Sequence, residues 1–371
     1  VKRILIYYPF KLAKEANSGS KLRPLKMIEA FKQWGQLNSV EVVIISGTSS
    51  ERSDEFGKLL KDGKLENLLF CYAENQTIPL WLTDPGHLPK NATIDYKVFK
   101  YLKSKNVPSG IFYRDVYWKF DELYPLKGTK KFIMKKIYWV EERFYEKFLD
   151  VIFIPSDAMG RFVNIDRPKV SLPPGGYDKN IARIEKNKED YKLNGIYVGG
   201  ISGEDYGLNL LLNSIEIANQ KQEKTIKLTI VCREEELKKQ SSDLINRLKM
   251  LDVDVKHVNG EKLDNQYGEM DLAFIPRHRT EYNDFSVPVK LVEYLSSGLP
   301  VIATNCSAQQ EIIESGSYGL ITEDNPSSIA DGILEIVKDI NSYKNNINET
   351  FLEKHSWLSR AEKVKDVLLK V

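Results

Sequence analysis

Residues 283–304 read N-D-F-S-V-P-V-K-L-V-E-Y-L-S-S-G-L-P-V-I-A-T, and their punctuation predicts a loop, a short helix, a tight stop and a buried strand. Proline suits the first turn of a helix, where its missing N–H would have had no partner, so Pro288 opens the helix. Gly298 accepts the left-handed conformation that ends one, and the apolar run 300–304 is the strand. A loop feeding a helix N-terminus presents backbone amides, expected here from Phe285, Ser286 and Val287, together with the positive end of the helix dipole. Such an arrangement holds phosphate. Lys290 and Glu293 lie three residues apart and share one helix face, with Ser297 a turn further on. A cation near the phosphate end and a carboxylate one turn deeper suit a nucleoside diphosphate, with lysine on a phosphate oxygen and glutamate accepting from a ribose diol.

The same β-loop-α rhythm extends to both sides. After it come Cys306 and an E-I-I run from Glu311; before it, apolar runs at 195–198, 228–231, 253–258 and 272–275 each lead into polar or helical sequence. In the first half, runs at 3–8, 40–46, 68–72, 109–113 and 150–155 do the same. This alternation predicts α/β architecture with doubly wound parallel sheets. At 371 residues the chain exceeds a typical single core, so two domains are expected. The break falls in S-L-P-P-G-G-Y-D at 171–178, because two prolines and two glycines continue neither a helix nor a central strand. The expected organisation is 1–178, 179–355 and a terminal helix within 356–371.

Composition excludes several classes. Lys and Arg number 54 against 52 Asp and Glu, a net charge of +2, which argues against nucleic acid as a main partner. No apolar run approaches a membrane span, and the opening K-R-I-L-I-Y-Y-P is too quickly interrupted for a signal peptide, so a cytoplasmic location is expected. Cys71, Cys232 and Cys306 are far apart and read as reduced core thiols. The four histidines, at 87, 257, 278 and 355, lack metal-ligand spacing. Asp252-Val253-Asp254 sits at the start of a strand, the edge away from a ligand. No metal and no cofactor are expected.

The remaining candidates lie at strand ends, where open α/β sheets bind ligands. G-G-I-S-G-E-D-Y-G at 199–207 places Gly199, Gly200 and Ser202 where small side chains let amides approach a phosphate or sugar, although it does not fit G-x-G-x-x-G. Arg233, Arg277 and Arg279 follow strand ends and offer positive charge. Val258 and Asn259 are placed to meet a base. In the first half, G-I-F-Y-R-D-V-Y-W at 110–118 sets Arg114, Asp115 and Trp118 after a strand, either as a sugar clamp or as a buried pair holding a loop. Glu74 and Asn75 follow the preceding strand. Residues 124–148 are helical, basic and aromatic, either a domain helix with a solvated lysine face or a surface for an anionic membrane.

The run Pro288-x-Lys290-x-x-Glu293-Tyr294-x-x-x-Gly298-x-Pro300-Val301-Ile302-Ala303 resembles the donor-binding signature of the GT-B glycosyltransferases, in particular the large retaining family four. The resemblance implies two Rossmann-like domains facing a cleft, with Glu293 on the ribose of a nucleotide sugar, most simply UDP-linked. It implies an acceptor, a glycan or a lipid- or protein-linked hydroxyl, near the first loop, so that Gly19 and Arg23 become acceptor contacts along with Glu74 and Trp118. It also implies that the terminal helix returns to the first domain. Three departures stand out. Arg114 occupies the place of a family histidine, which leaves Arg114 and Asp115 as the catalytic candidates. Gly200 replaces an arginine on the diphosphate, and neither Asp205 nor Tyr206 supplies the family's lysine. A non-catalytic sugar-binding partner and a sugar-nucleotide epimerase on the same fold are the rival expectations.

Overall fold

The computed structural model describes residues 1–13, 19–181 and 191–371. Among the described residues its strands form two six-stranded sheets in which neighbouring strands pair in parallel. The chain divides into one unit of Val1–Gly175 with Trp357–Val371 and a second of Gly176–Ser356. It therefore passes between units inside the proline- and glycine-rich 171–178 segment and again after Ser356.

The first sheet contains β1 (Arg3–Tyr8), β2 (Glu41–Ser46), β3 (Leu68–Glu74), β4 (Ser109–Phe112), β5 (Val151–Ile154) and β6 (Lys169–Ser171), in the order β2-β1-β3-β4-β5-β6. Helices cover both faces of such a sheet, which is why β1 and β5 are unbroken apolar runs whose side chains are almost wholly buried. The Trp357–Leu368 helix belongs to this unit and packs on the Gly19–Asn38 helix, with Trp357, Ala361, Val364 and Leu368 joining Met27 and Phe31 in one core.

The second sheet contains β7 (Leu193–Val198), β8 (Ile226–Val231), β9 (Asp254–Lys256), β10 (Leu272–Ile275), β11 (Val301–Thr304) and β12 (Gly319–Thr322), in the order β12-β11-β10-β7-β8-β9. One face is covered by the Leu208–Lys221 and Pro326–Ile336 helices. Against the other lies the Val289–Ser296 helix, through Leu291, Val292, Tyr294 and Leu295. Gly298, at φ +67°, ends that helix in the left-handed conformation.

Sequence pattern and structure part at the sheet edges. The strand expected over 253–258 is only Asp254–Lys256, and β6 and β12 gave no clear signal. Edge strands are short and half exposed, so their apolar pattern is weak. The helix expected from residue 124 begins at Gly128.

Candidate functional site

In the second unit the chain runs outward from β7 through β8 to β9, then returns to β10 on the other side of β7. The crevice beyond the carboxyl ends of β7 and β10 is thus the topological switch point, the place where open α/β sheets take ligands. Three segments come together there. Gly207, at φ +68°, caps the Leu208–Lys221 helix and lies so close to β10 that an added Cβ would stand 1.6 Å from the Pro276 carbonyl oxygen. The Val289–Ser296 helix is pinned to the end of β7 by the buried Tyr294, whose hydroxyl accepts from the Val198 amide at 2.8 Å. Arg277, just beyond β10, reaches the approach to that helix.

Arg277 is the most informative side chain of the site. Its Nη1 donates to the Ser286 carbonyl at 2.9 Å, and its Nη2 donates to Ser286 Oγ at 2.6 Å and to Asn283 Oδ1. Among the described residues it has no ion pair, with Asp205 acting on it only at longer range. Burial holds its guanidinium below the ordinary value, because charge is costly to remove from water. An inward-held cation lacking a carboxylate partner fits an anion. Arg279, two residues on, is already neutralised: its Nε meets Asp284 Oδ1 at 3.1 Å and its amide donates to Asp324. Burial would push Asp284 up, but the Ser307 amide and hydroxyl, with Arg279, outweigh it and hold the carboxyl low. That carboxylate fills the N-terminus of the Ser307–Glu314 helix, capped by Cys306. The neighbouring Val289–Ser296 helix has Pro288 as its N-cap and, among the described residues, no side-chain cap hydrogen bond.

Lys290 and Glu293 share a helix face and pair directly, Lys290 Nζ with Glu293 Oε2, both partly accessible. The Tyr267 hydroxyl also donates to Glu293 Oε2, at 3.4 Å. Ser297 Oγ donates to the Glu293 carbonyl at 2.8 Å and lies below the pair.

Several expected contacts are used differently. The Ser286 amide donates to the Tyr282 carbonyl at 3.1 Å, so it is not a free loop amide. Phe285 ends a short Glu281–Phe285 helix with its ring buried edge-on to Tyr282, and Val287 is half-buried against the core. The helix mouth therefore offers the Val289 and Lys290 amides after Pro288 rather than the Ser286 amide before it, the Leu291 amide already donating to the Pro288 carbonyl at 3.0 Å. The Gly199 amide completes the sheet by donating to the Val231 carbonyl, and the Gly200 carbonyl accepts from the Tyr197 hydroxyl at 2.6 Å. Tyr206 lies over Gly200, where any Cβ would strike its ring at 2.7 Å. Ser202 Oγ accepts from Gln240 Nε2. Arg233 projects outward as the cap of the Glu234–Lys238 helix, with Glu236 at 3.9 Å. Val258 is half-buried against the core, while Asn259 is exposed and caps the Gly260–Gly268 helix. Asp252 and Asp254 both face Lys227, at 3.2 and 3.6 Å, and no cluster of metal-ligand type occurs among the described residues.

In the first unit the switch point lies beyond β1 and β3. Glu74, wholly buried at the end of β3, accepts from the Tyr72 hydroxyl at 2.8 Å and from Arg114 Nη2 at 3.3 Å, with Arg23 Nε 3.4 Å away. Two cations thus share one carboxylate. Arg23 lies 3.4 Å over the Phe112 ring, and its buried nitrogens have no hydrogen-bond partner among the described residues. Arg114 also donates from its amide and Nε to Asn75, and burial lowers its ordinary value. Asp115 Oδ1 accepts from the Tyr117 amide and shapes the turn. Trp118 is stacked on Tyr138 at 4.8 Å within a buried aromatic cluster, so its ring face is covered and does not await a sugar. Gly19 is the first residue of the Gly19–Asn38 helix, and Ser18 before it lies outside the described residues. Sequence reading missed Tyr197, Tyr267 and Tyr294, whose hydroxyls organise the crevice of the second unit. Only the Glu293-Tyr294 adjacency hinted at them.

The fold is that of the GT-B glycosyltransferases. Solved structures similar to it include a glycosyltransferase from Rickettsia africae ESF-5, with TM-score 0.63 and 14% identity over 100% of this chain and 98% of that one. Sucrose-phosphate synthase from Thermosynechococcus elongatus gives 0.57 and 12%, over 100% and 99%. Anabaena Alr3699/HepE in complex with UDP gives 0.59 and 13%, over 100% of both chains. More narrowly, residues 193–339, the span from β7 through the Pro326–Ile336 helix, match the family model Glycosyl transferases group 1. No curated protein matches the sequence.

Proposed function

We propose that the protein is a retaining glycosyltransferase that moves a sugar from a UDP-linked donor to a hydroxyl acceptor without a metal ion. The observation that carries this is Arg277, an inward-held cation without a carboxylate, beside an uncapped helix N-terminus at the second unit's switch point. It supplies the charge that Gly200 and the 205–206 positions lack. The group 1 match over the same residues supports the reading, as does a GT-B neighbour crystallised with UDP and with UDP-glucose.

In this mechanism the diphosphate lies between Arg277 and the first-turn amides after Pro288, with Lys290 turning from Glu293 to a phosphate oxygen. The freed Glu293 accepts from the ribose diol. The bond between the anomeric carbon and the diphosphate breaks while the acceptor oxygen bonds the same face of that carbon. The leaving diphosphate takes the acceptor's proton. Negative charge building on that phosphate is what the helix end, Arg277 and Lys290 stabilise. Arg23, Glu74, Arg114 and Asp115 belong to the acceptor side, with Arg114 and Asp115 the groups to test for a direct role in the reaction.

The test is a thermal-shift screen against UDP-, GDP-, ADP- and CMP-linked sugars, followed by NMR of the stabilising donor with and without acceptor. Release of UDP and free sugar, with the anomeric configuration of any product kept, is expected. A chain that no sugar nucleotide stabilises would refute the proposal, and epimerised donor would reassign it.

A further inference from the structure

The Gly128–Phe148 helix has two faces of opposite kind. Tyr138, Glu141, Glu142, Tyr145 and Phe148 point inward and are buried. At about 100° per residue, positions 132, 133, 136, 139, 140 and 143 fall within about 120° of one another on the opposite side. They carry Phe132, Ile133, Lys136, Trp139, Val140 and Arg143. Four large apolar side chains on that stripe are left in water: Phe132 is 62% exposed, Ile133 56%, Trp139 54% and Val140 48%. Scattered exposed apolar residues are ordinary, but a continuous stripe on one helix marks a contact surface.

The cations on the stripe identify what it contacts. Lys136 Nζ lies 4.5 Å from the Phe132 ring centre, and the Arg143 guanidinium 5.3 Å from that of Trp139. Lys136 has no carboxylate within ion-pair distance among the described residues, and Arg143 shares Glu146 at 3.1 Å. Exposed Lys127, Lys130 and Lys147 lie on the same helix or at its start. Aromatic rings interleaved with cations, of which Lys136 is unpaired among the described residues and Arg143 pairs with Glu146, suit the boundary between lipid headgroups and acyl chains, where the rings enter and the charges meet lipid phosphate. A two-fold copy of the chain would instead bring the Lys136 and Arg143 of one stripe against the cations of the other, and like charges repel. No helix among the described residues is long and apolar enough to cross a membrane, so contact would be from the surface.

We infer that this stripe docks the protein on an anionic bilayer surface. The inference is independent of the donor site, because none of its residues belongs there.

The test is flotation of the full chain with vesicles of phosphatidylcholine alone and of phosphatidylcholine containing phosphatidylglycerol. Trp139 is the exposed member of the five tryptophans, the others being buried or half-buried, so its emission should shift to the blue on docking. The protein should float with the anionic vesicles only, and salt should release it. The pair Phe132→Ser with Trp139→Ser, and separately Lys136→Glu with Arg143→Glu, should each lower the bound fraction at least about tenfold. Melting temperature and UDP binding should stay at parental values, which separates lost docking from lost folding. The inference is overturned if the parent stays unbound, floats equally with neutral vesicles, or is matched by the charge-reversed variant. It is also overturned if sedimentation shows a dimer that both variants dissociate, which would assign the stripe to a second copy of the chain.

Discussion

Replacing Glu293 by alanine separates the ligand role of that carboxylate from any structural one. In the structure its charged partner is Lys290, on the same helix, and both side chains keep access to water, 23% and 34% exposed. A pair of this kind contributes about 0.3–1 kcal/mol to folding. Glu293→Ala also removes the acceptor of the Tyr267 hydroxyl at 3.4 Å, a long and weak bond. The folded state should therefore lose no more than about 1 kcal/mol. A carboxylate accepting from a ribose diol makes charged hydrogen bonds, and losing them should weaken nucleotide binding by about 2–4 kcal/mol, or about 30-fold to about 900-fold. Titration calorimetry with UDP, beside thermal melts of both proteins, measures the two terms separately. If the variant binds UDP within threefold of the parent while remaining folded, the ribose assignment is wrong and the helix has some other purpose. If instead it melts far below the parent, the pair is structural and the reasoning from its exposure fails.

Three further outcomes follow from the same geometry. Arg277→Gln should weaken UDP binding at least about tenfold while leaving uridine affinity unchanged, because the lost charge faces phosphate; equal losses for both, by calorimetry, would place Arg277 elsewhere. Gly207→Ala should destabilise the protein by about 3 kcal/mol or more, since it combines a left-handed φ with a Cβ against the Pro276 carbonyl, and a urea titration reads this directly. Glu141 Oε1 accepts from the Leu80 amide and the Tyr145 hydroxyl, Oε2 is buried without a hydrogen-bond partner among the described residues, and burial pushes its carboxyl up to about 8. Because the folded form holds this proton more tightly than the unfolded chain, its contribution is complete below about pH 4.5 and is lost as pH rises through about 8. Melts across that window should show stability falling by at most about 5 kcal/mol from this group, and Glu141→Gln should flatten the profile.

Both sheets were legible because their central strands are unbroken apolar runs bounded by polar loops, as at 3–8 and 272–275. The edges were not, since Lys169–Ser171 and Gly319–Thr322 are short and half exposed. At the second unit's crevice, spacing alone placed Lys290 and Glu293 on one face, and strand-end position nominated Arg277. What spacing could not reveal was how backbone groups are already engaged: the Ser286 and Gly199 amides are tied to carbonyls of Tyr282 and Val231. Nor could it separate Arg277 from Arg279, two residues apart, since only the fold brings Asp284 to one and not the other. Trp118 misled for a related reason. An aromatic ring after a strand suits a sugar and a core equally, and Tyr138, twenty positions on, decides the matter by stacking on it.

If the second unit's crevice takes a nucleotide as proposed, the phenol of Tyr294 bears on which nucleotides fit. Its oxygen meets the Val198 amide and its ring is sealed in the core, so the glycine loop after β7 and the helix bearing Glu293 are riveted together. Under the proposed function, the span from phosphate to pentose is then a fixed gauge in the scaffold, not an adjustable reach of long side chains. Discrimination by phosphate number would follow from rigid architecture, and loosening the rivet should broaden the range of nucleotides admitted before it abolishes binding.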